Sequence, residues 1–324
     1  MTDHIRWGIL GAAGFARQTM APAINEARRS RLVALATRDR VKAAPFETIA
    51  PGLTVHDSYD ALLADPGIDA VYIPLPNTLH VDWSIRAAEA GKHVLCEKPM
   101  GLQASDFDRL IATRNATGRF MAEGWMPSHH PQWSRVREMI ADGALGTLHT
   151  VTAHFSFGLH DTGNIRLDPA LGGGALRDIG VYPIGTFRFA TGLEPEPVWA
   201  DAVLENGVDT SAWVQLRAGD VRFAFHLSMR TQQRQGMAFQ GTGGRLTVMA
   251  PFNAGQYGQA DLVLECDGAD TTVIRFPETR QYVNQVEAVS ASVLDGAPFA
   301  WPLERARGTQ VVLDAIFERL GLSG

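Results

Sequence analysis

An alternation of strand and helix patterns over residues 69–102 constrains the fold of this chain more than any other feature. Two apolar runs typical of buried strands, at 70–75 and 93–96, flank a helical pattern over about 81–90, and a Glu-Lys-Pro tripeptide follows the second run directly. Strands joined through a helix of this length form a parallel sheet with right-handed crossovers. Because ligands of open parallel sheets bind beyond the carboxyl ends of the strands, the lysine of this tripeptide is a candidate catalytic residue.

The same alternation covers the first 123 residues and predicts an α/β domain. Further strand patterns lie at 5–10, 32–36, 53–55 and 120–123, and helical patterns lie at about 15–28, 40–49, 59–64 and 105–117. Ser105 is the expected N-cap of the last of these helices. We therefore expect an N-terminal domain over residues 1–124 that is built on a doubly wound parallel sheet.

The pattern changes after Trp125. A helix is expected over about 132–142, a strand over 148–157 and a further helix over 175–190. Strand patterns then follow in close succession, as is typical of an antiparallel sheet, at 199–204, 212–217, 221–229, 237–240, 245–249, 261–266 and 272–276. Two helices, over about 282–294 and 303–320, close the chain. Residues 125–324 are therefore expected to form an α+β domain with an open, mainly antiparallel sheet.

Composition excludes several functional classes. A length of 324 residues suggests two domains, and 45% hydrophobic with 20% charged residues is ordinary for a soluble globular protein. A formal net charge of -6 without a polybasic run argues against a nucleic-acid partner, and no apolar run approaches the roughly 18 residues of a membrane helix. The two cysteines suit a reducing compartment and form no zinc motif. Because the N-terminus shows no leader pattern, we expect a cytoplasmic protein without a bound metal or a membrane partner.

The turn between the first strand and the first helix matches a dinucleotide-binding fingerprint imperfectly. The motif is G-x-G-x-x-G/A, and this chain has Gly11-x-Ala13-x-x-Ala16, with Gly14 one place late and Phe15 beside it. The first glycine permits a tight turn, and small residues let the backbone approach a pyrophosphate at the helix N-terminus. We therefore expect these five residues to bind a dinucleotide. The alternative is a turn of small residues that only packs the helix against the strand.

The end of the second strand indicates which dinucleotide is preferred. NAD-selective sites carry an acid there, about 20 residues after the fingerprint, which binds the ribose 2′-hydroxyl. Here the strand ends in Ala36-Thr37-Arg38, and Asp39 comes late. Thr37 can hydrogen-bond the ribose or its phosphate, and Arg38 can pair with a 2′-phosphate, so we expect NADP, with NAD as the alternative. Arg38 could also be a solvated loop cation.

Two strand ends supply the remaining candidates of the first domain. Pro76, Asn77 and His80 follow the strand at 70–75 and are expected to contact the cofactor near its nicotinamide. His80 is also expected to orient the substrate, although a helix-capping or core histidine would give the same pattern. A histidine alone does not decide between these two roles.

Lys98 is the main catalytic candidate. In a closed site a lysine could exchange a proton with the substrate, or stay charged and stabilise a developing alkoxide. Glu97 is counted among the cofactor-binding residues. It could instead be a simple ion-pair partner of Lys98, and Lys98 itself could be a surface lysine at a strand end.

A glycine-rich segment far downstream carries the other half of the candidate site. Gly172-Gly173-Gly174 opens a helical pattern that contains Asp178 and Tyr182. If that helix is regular, these two residues share one face, where a carboxylate and a phenol can hold a sugar hydroxyl and relay its proton. An ordinary Asp-Tyr pair on a helix is the alternative. Arg166 is a candidate substrate-facing cation, and a structural salt bridge fits it equally well.

These motifs occur together and in order, and with them the chain resembles a known family. The fingerprint, the 74–99 block with Glu97-Lys98-Pro99, the 173–182 block and a closing Tyr282-x-x-Gln285 helix resemble the Gfo/Idh/MocA family of glucose-fructose oxidoreductases and inositol dehydrogenases. The resemblance covers nearly the whole chain. It implies a Rossmann domain followed by a substrate-binding domain whose open sheet often builds a homodimer or homotetramer.

The resemblance also implies roles for individual residues. Lys98 matches the family's catalytic lysine, and Asp178 and Tyr182 match its acidic residue and its acid/base position. The peptide bond before Pro99 is often cis in this family. A tyrosine at 182 resembles the branch that contains glucose-fructose oxidoreductase, dihydrodiol dehydrogenase and NADP-dependent xylose dehydrogenase. Ala13 and the missing acid after the second strand are departures, and the second favours NADP.

The sequence thus predicts an NADP-dependent oxidoreductase that transfers a hydride to or from a sugar or polyol. Lys98, Tyr182 and Asp178 are the expected catalytic residues, and Arg166 is an expected substrate contact. Two alternatives are left open. One is a nucleotide-binding regulator that has lost catalysis, and the other is an enzyme that retains its cofactor and passes hydride between two sugars.

Overall fold

The computed structural model describes residues 3–322, which divide into two compact units. Unit 1 comprises the chain up to Gly101 together with Ser105–His129 and Gln281–Ala306. Unit 2 comprises Leu102–Ala104, His130–Arg280 and the chain from Arg307 onward. Unit 1 is therefore discontinuous in sequence, since a C-terminal segment returns to it. The domain boundary after residue 124 stays a prediction from the sequence.

Unit 1 is built on a six-stranded parallel sheet. Its strands are β1 (Ile5–Leu10), β2 (Ser30–Ala36), β3 (Thr54–His56), β4 (Ala70–Ile73), β5 (His93–Cys96) and β6 (Met121–Glu123). The helices after them are α1 (Ala21–Glu26), α2 (Arg40–Ile49), α3 (Tyr59–Leu63), α4 (His80–Glu89) and α5 (Ala104–Thr117). The strand order is β3-β2-β1-β4-β5-β6, and it reverses between β1 and β4. That switch point is where such sheets bind ligands, and the predicted doubly wound parallel sheet is confirmed.

The central strands form because their residues are apolar on both faces. All four residues of β4 are buried, as are Val94, Leu95 and Cys96 of β5. A strand buried on both faces is typical of a parallel sheet covered by helices. As a consequence, the polar side chains of these segments occur where the strands end.

One expected helix contains an irregular turn, and another begins at a different residue. The helix expected over about 15–28 contains a π-helical turn, Ala16–Met20, before α1. Ser105 is not an N-cap, because α5 begins at Ala104 and Ser105 is its second residue. The N–H of Ala104 donates to the carboxylate of Asp314 at 2.8 Å, and this partner is too far away in sequence for a local pattern to reveal.

Unit 2 contains an eight-stranded sheet that is mostly antiparallel. Its strands are β7 (Leu148–Gly158), β8 (Glu196–Glu205), β9 (Val208–Ala218), β10 (Val221–Ser228), β11 (Arg230–Gly241), β12 (Arg245–Val248), β13 (Asp261–Glu265) and β14 (Thr272–Arg275). The order is β14-β13-β12-β11-β7-β10-β9-β8, and β7 with β10 is the parallel pair. The expected open, mainly antiparallel sheet is confirmed.

In the described part of the chain, residues 3–322, four more α-helices follow α5. They are α6 (Pro131–Ala141), α7 (Val181–Thr191), α8 (Gln281–Asp295) and α9 (Leu303–Arg319). A π-helical turn, Leu176–Gly180, precedes α7. The apolar face of α8 joins the core of unit 1 through Val283, Val286 and Val289, which explains why this segment belongs to that unit.

One face of the unit 2 sheet is buried and the other is exposed. Along β9, Ala212, Val214 and Leu216 are buried, whereas Trp213 between them is 38% exposed and stacks on His226 of β10 at 4.8 Å between ring centroids. Such alternation is typical of an antiparallel sheet with one solvated face. Within residues 3–322, no helix has the length and apolar character needed to cross a bilayer.

Candidate active site

Lys98 lies in the loop that begins where β5 ends. Its side chain is half-buried, and its backbone N–H donates to the Glu97 carboxylate at 3.3 Å. The Lys98–Pro99 peptide bond is cis, as the family resemblance implies. Lys98 is therefore located at the carboxyl edge of the parallel sheet, which is the edge where the sequence predicts a catalytic residue.

Glu97 faces other protein groups. Its Oε1 accepts a hydrogen bond from the phenol of Tyr72 at 2.5 Å. Burial raises the pKa of Glu97, while the bond from Tyr72 and the charge of Lys98 act to lower it. The sequence predicts a cofactor contact for Glu97. Its contacts with Tyr72 and Lys98 instead fit the alternative role, a partner for the lysine.

His80 is fixed by two backbone carbonyls. It is 1% exposed, its Nδ1 lies 2.7 Å from the carbonyl oxygen of Pro99, and its Nε2 lies 2.7 Å from that of Leu75. Burial lowers the pKa of His80, against the effect of these two contacts. Both ring nitrogens face backbone oxygens, which fits the alternative of a core histidine. Contact of His80 with a cofactor or a substrate stays a prediction. The imidazole connects the loop after β4 to the loop after β5.

The loop after β4 also contains Pro76 and Asn77, which are half-buried. A short 3-10 turn, Asn77–Leu79, begins there, and the N–H of Leu79 donates to the Pro76 carbonyl at 2.9 Å. The turn lies at the carboxyl edge of the sheet, beside the switch point. Contact of Pro76 and Asn77 with a nicotinamide stays a prediction.

A buried acid near Glu97, Glu123, is a residue that the sequence reasoning missed. It is 3% exposed, ends β6 and is paired with Cys96 of β5. Its Oε1 accepts from the N–H of Met100 at 3.0 Å, and its Oε2 accepts from the indole N–H of Trp301 at 3.1 Å. Burial raises the pKa of Glu123, and these two bonds and the charge of Lys98 act to lower it. A glutamate that ends a buried strand pattern was the available signal.

The turn after β1 has the conformation that a dinucleotide site requires. Gly11 has a φ of +101°, and its N–H donates to the Ala36 carbonyl at 3.0 Å, so a side chain at this position would be strained. A Cβ on Gly14 would meet nothing within 4 Å. Open space in front of the helix is therefore available to a pyrophosphate.

The start of the helix that follows has no side-chain cap at Phe15. Phe15, which precedes its first π-helical turn, makes no side-chain capping bond, and its ring packs edge-on against Tyr282 at 5.6 Å. Ala16 is fully buried, and Ala13 packs partly buried against the core. N–H groups without a side-chain cap at a helix N-terminus favour an anion, which agrees with the predicted dinucleotide site.

The acid that follows β2, Asp39, caps the next helix. The carboxylate of Asp39 accepts from the N–H groups of Val41 and Lys42 and is the N-cap of α2. Thr37 is buried, and its hydroxyl accepts from the N–H of Asp39 at 3.1 Å. Arg38 is exposed. Since Asp39 caps a helix, the charged side chain presented directly after β2 is that of Arg38.

In unit 2, the candidate carboxylate Asp178 is paired with Arg166. The Arg166 Nε lies 2.7 Å from the Asp178 Oδ2, and the Asp178 side chain is 12% exposed. The helix is not regular here, since Asp178 lies in the π-helical turn and Tyr182 is the second residue of α7. π-helical turns occur frequently at functional sites. Arg166 thus forms a salt bridge, which is one of the two roles that the sequence allows for it.

The glycine-rich turn brings these two residues together. The N–H of Gly174 donates to the Arg166 carbonyl at 2.9 Å, and a Cβ on Gly173 would lie 2.5 Å from the same oxygen. Only glycine permits this approach. Asp209 of β9 accepts from the N–H of Leu176 at 2.7 Å, and burial raises its pKa to about 6. Asp209 thus anchors the start of the helical segment that carries Asp178.

Tyr182 lies among aromatic side chains and is 5% exposed. Its ring centroid is 5.3 Å from that of Phe155 and 5.7 Å from that of Phe252, and the two phenylalanines stack at 5.1 Å. These contacts hold the phenol ring in one position. The sequence reasoning missed both phenylalanines, because they come from distant segments and carry no local motif.

The candidate residues are thus divided between the units. Unit 1 contains the glycine-rich turn, the end of β2, the loop with Asn77 and the loop with Lys98. Unit 2 contains Arg166, Asp178 and Tyr182. Within each unit, residues distant in sequence are brought next to one another.

Two family models match this chain in succession. The first, described as the Gfo/Idh/MocA oxidoreductase family with an NAD-binding Rossmann fold, matches residues 5–124. The second, described as the Gfo/Idh/MocA C-terminal domain, matches residues 133–247. Together they cover well over half of the chain.

Individual relatives match over nearly the whole length. The chain is 35% identical to D-xylose 1-dehydrogenase (NADP(+)) 2 of Haloferax volcanii, over 96% of each chain. Among solved structures it is similar to KijD10, a 3-ketoreductase from Actinomadura kijaniata in complex with NADP and TDP-benzene, with 31% identity, a TM-score of 0.91 and coverage of 99% of this chain and 98% of that chain. An aldose-aldose oxidoreductase from Caulobacter crescentus complexed with glycerol matches with 25% identity, a TM-score of 0.89 and coverage of 98% of each chain.

Proposed function

Because this chain belongs to the Gfo/Idh/MocA family of oxidoreductases, we propose that it transfers a hydride between NADP and a carbinol or carbonyl carbon of a sugar or polyol. The observation that carries the proposal is the placement of Lys98. This half-buried lysine lies at the carboxyl end of a central parallel strand, in a loop that His80 and Glu123 fix by hydrogen bonds to its backbone. The relatives named above, which act on sugars or sugar-like substrates, support the substrate class.

The choice of NADP rests on the turn after β1 and on the end of β2. Gly11, Gly14 and the helix start near Phe15, which has no side-chain cap, fit a pyrophosphate. Arg38 is exposed where an NAD-selective site would have an acid, and its guanidinium suits a 2′-phosphate. KijD10 is in complex with NADP, and the xylose dehydrogenase is named for NADP, which supports the same choice.

We assign the proton chemistry to the side chains of the chain. The bound nicotinamide would accept or supply the hydride. Lys98 and Tyr182 handle the proton of the substrate hydroxyl, and a group placed for such transfer contributes about 10²–10⁴-fold to the rate. Asp178, held by Arg166, accepts a hydrogen bond from the substrate and orients it. In this proposal His80 holds the loop that carries Lys98, through the Pro99 carbonyl.

An assay of the purified protein tests this proposal. Aldoses, cyclitols and a TDP-linked keto sugar are offered with NADP⁺ or NADPH, and with NAD⁺ or NADH, and absorbance is followed at the wavelength of the reduced nicotinamide. We expect turnover with at least one sugar and a preference for NADP. Cofactor binding without turnover across the panel would favour the alternative of a nucleotide-binding regulator.

The sugar-to-sugar alternative has its own measurement. An enzyme that retains its cofactor would show nicotinamide absorbance after purification and desalting, and it would reduce one sugar while oxidising another without added NADP. The similarity to the aldose-aldose oxidoreductase makes this comparison necessary. We expect the purified protein to lose its cofactor on desalting and to require added NADP.

We also propose that the exposed face of the unit 2 sheet forms a homodimer or homotetramer. The apolar side chains on this sheet are exposed to an unusual degree for a single chain, with Val198 at 52%, Leu204 at 50% and Trp199 at 47%. Analytical ultracentrifugation of the wild type and of Trp199→Glu should show an assembly in the first and smaller species in the second. A monomeric wild type would reject the proposal.

A further inference from the structure

A cavity in unit 2 is lined by residues that the proposed mechanism does not use. Its volume is about 970 Å³, and its walls are the loop 255–261, the segment 275–280 and His130. All of these residues belong to unit 2. Pockets for drug-sized ligands range from about 300 to 1,000 Å³, so this cavity has room for a ligand with more than one ring.

His130 offers the cavity a ring N–H group. Its side chain is 1% exposed, and its Nδ1 accepts a hydrogen bond from the backbone N–H of Gln132 at 3.2 Å. Because a ring nitrogen that accepts carries no hydrogen, the hydrogen of the neutral imidazole is on Nε2. Burial lowers the pKa of His130 to about 4, so the ring is uncharged near neutral pH. Within residues 3–322, no group accepts a hydrogen bond from this Nε2, and a ligand in the cavity can supply the missing acceptor.

The charges that line the cavity balance one another. Arg275 of β14 lies opposite Asp261 of β13, with 3.6 Å between the arginine Nε and the aspartate Oδ2. Glu278 and Arg280 add one further charge of each sign. A site for a phosphate or a carboxylate would have an excess of arginine, and a site for a cation would have an excess of acids. The balanced lining therefore suits a neutral ligand that both donates and accepts hydrogen bonds.

Amides and aromatic rings complete the lining. The side chains of Gln256 and Gln259 can each donate and accept hydrogen bonds. Tyr257 and Phe276 line the cavity with half-buried rings. Both rings also pack against a small apolar cluster, which consists of Ala250, Ala254 and Ala260. A carbohydrate matches this lining, because its hydroxyl groups donate and accept hydrogen bonds and its C–H groups form an apolar face that fits an aromatic ring.

The segment between β12 and β13, which carries Tyr257, also contacts the candidate acid/base residue Tyr182. The ring of Phe252 in this segment lies 5.7 Å from that of Tyr182. The carbonyl of Pro251 accepts from the indole N–H of Trp133 at 2.8 Å, which fixes the start of the segment. One short stretch of chain therefore contacts Tyr182 at its start and lines the cavity further along.

We propose that this cavity binds a carbohydrate, and that the substrate is a saccharide or glycoside whose second ring occupies it. The assignment to the substrate rests on the proposed function and narrows its substrate class. A ring bound far from the reacting carbon supplies binding energy that can position that carbon. A separate sugar that is not itself oxidised would have the same chemistry, and the experiment distinguishes the two sources.

Ligand-observed NMR titration of the full chain measures binding without cofactor. The probes are xylose, glucose, xylobiose, cellobiose, maltose and maltotriose. We expect at least one of the larger saccharides to bind more tightly than its monosaccharide. Arg275→Ala and Tyr257→Ala should each raise its Kd about tenfold, through loss of a charged hydrogen bond and of an aromatic face.

Two further variants show whether such losses are specific to the cavity. Tyr257→Phe keeps the ring and should retain most of the affinity, which a general collapse of the loop would not allow. Arg245→Ala is the matched control, because Arg245 is exposed on β12 of the same sheet and does not line the cavity. Its Kd should equal that of the wild type. Thermal unfolding confirms that each variant is folded.

Turnover with NADP then identifies the source of the sugar. If the second ring belongs to the substrate, the bound saccharide is oxidised with a lower KM than its monosaccharide, and Arg275→Ala raises that KM. If only monosaccharides are oxidised, the cavity remains a carbohydrate site and its assignment to the substrate is overturned. If no sugar is oxidised while Arg275→Ala still weakens binding, the proposed function fails and the carbohydrate site stands. Absence of binding across the panel, or binding that Arg275→Ala and Tyr257→Ala leave unchanged, would overturn the inference.

Discussion

The two ends of β5 each carry a lysine, and the protein uses them differently. At the amino end, Lys92 is 6% exposed, and its Nζ donates to the carbonyls of Asp65 at 2.6 Å and Ile68 at 2.9 Å. At the carboxyl end, Lys98 is half-buried in a loop whose backbone is held by the side chains of His80 and Glu123. At the amino end, the side chain of Lys92 fixes backbone carbonyls. At the carboxyl end, other side chains fix the backbone of the loop that carries Lys98.

The acids near the two ends of β5 also differ, since their pKa values are shifted in opposite directions. Near the amino end, burial would raise the pKa of Asp69, but the hydrogen bonds and charge of Arg6 lower it overall. Near the carboxyl end, burial raises the pKa of Glu97 and Glu123 despite the opposing charge of Lys98. The ionised form of Asp69 is therefore favoured by the fold, while the ionised forms of Glu97 and Glu123 are disfavoured, as is common at functional sites.

Apart from substitution of Lys98, the largest effect on kcat is expected for Tyr182→Phe. If the lysine at the carboxyl end acts as an ammonium, the phenol in unit 2 must exchange the proton, and its removal should lower kcat by about 10²–10⁴-fold. Loss of the hydroxyl leaves the ring packing with Phe155 and Phe252 intact, so the variant should remain folded. Steady-state kinetics and thermal unfolding check both parts. A kcat near that of the wild type would mean that Lys98 exchanges the proton itself.

At the amino end, Lys92→Met should reduce stability and leave catalysis unchanged. The methionine retains the apolar stem but loses two charged hydrogen bonds to backbone carbonyls, which corresponds to about 2–3 kcal/mol in the free energy of unfolding. Urea unfolding gives that quantity, and kcat is measured on the folded variant. A lowered kcat at full folding would show that the two ends of the strand are not functionally distinct.

A substitution directly after a third strand, β2, tests whether the carboxyl edge of the sheet binds the cofactor. Arg38→Ala should raise the KM for NADP about tenfold and leave the KM for NAD unchanged, since it removes one charged contact to the 2′-phosphate. Arg40→Ala is the matched control, because Arg40 is exposed two residues away and pairs with Asp57. Equal losses for the two cofactors would assign Arg38 to the solvated loop.

The smallest effect is a difference in the pH dependence of stability. The pKa of Asp69 is lowered in the folded state, so its contribution is present above the ordinary value of 3.8 and is lost as the pH falls. The pKa of Glu123 is raised, so its contribution is present below 4.5 and is lost as the pH rises through the folded-state value.

Urea unfolding across the acid and neutral range distinguishes these two contributions. Asp69→Asn should be least harmful at the lowest pH, whereas Glu123→Gln should become relatively more stable as the pH rises. The wild type at each pH is the control. If the free energies of unfolding of the two variants changed with pH in parallel, the contrast between the two ends of β5 would be contradicted.

The sequence predicted most of unit 1 because burial patterns and strand ends are local properties. β5 was placed at its observed residues, and with it the position of Lys98 at a strand end. Ser105 was misplaced as an N-cap, because Asp314 satisfies the helix start from a distant segment. The contacts of His80 with the carbonyls of Pro99 and Leu75 likewise could not be predicted from a local pattern.

The candidate site was predicted less completely than the fold. Motifs and resemblance gave Lys98, Asp178 and Tyr182, but Glu123 has no motif. Phe155 and Phe252 likewise reach Tyr182 from segments far apart in sequence. The π-helical turn at Asp178 was also missed, since periodicity does not distinguish one irregular turn from a regular helix. Contacts between residues that are far apart in sequence could not be predicted from a single sequence.

The central claim is that the lysine at the carboxyl end of β5 performs the chemistry, and one paired measurement tests it. Lys98→Met and Lys92→Met are compared in the rate of sugar-dependent NADP turnover and in the affinity for NADPH. We expect Lys98→Met to lose at least about 10²-fold in kcat while it binds NADPH as the wild type does, and Lys92→Met to retain its kcat. Normal turnover in folded Lys98→Met would contradict the account.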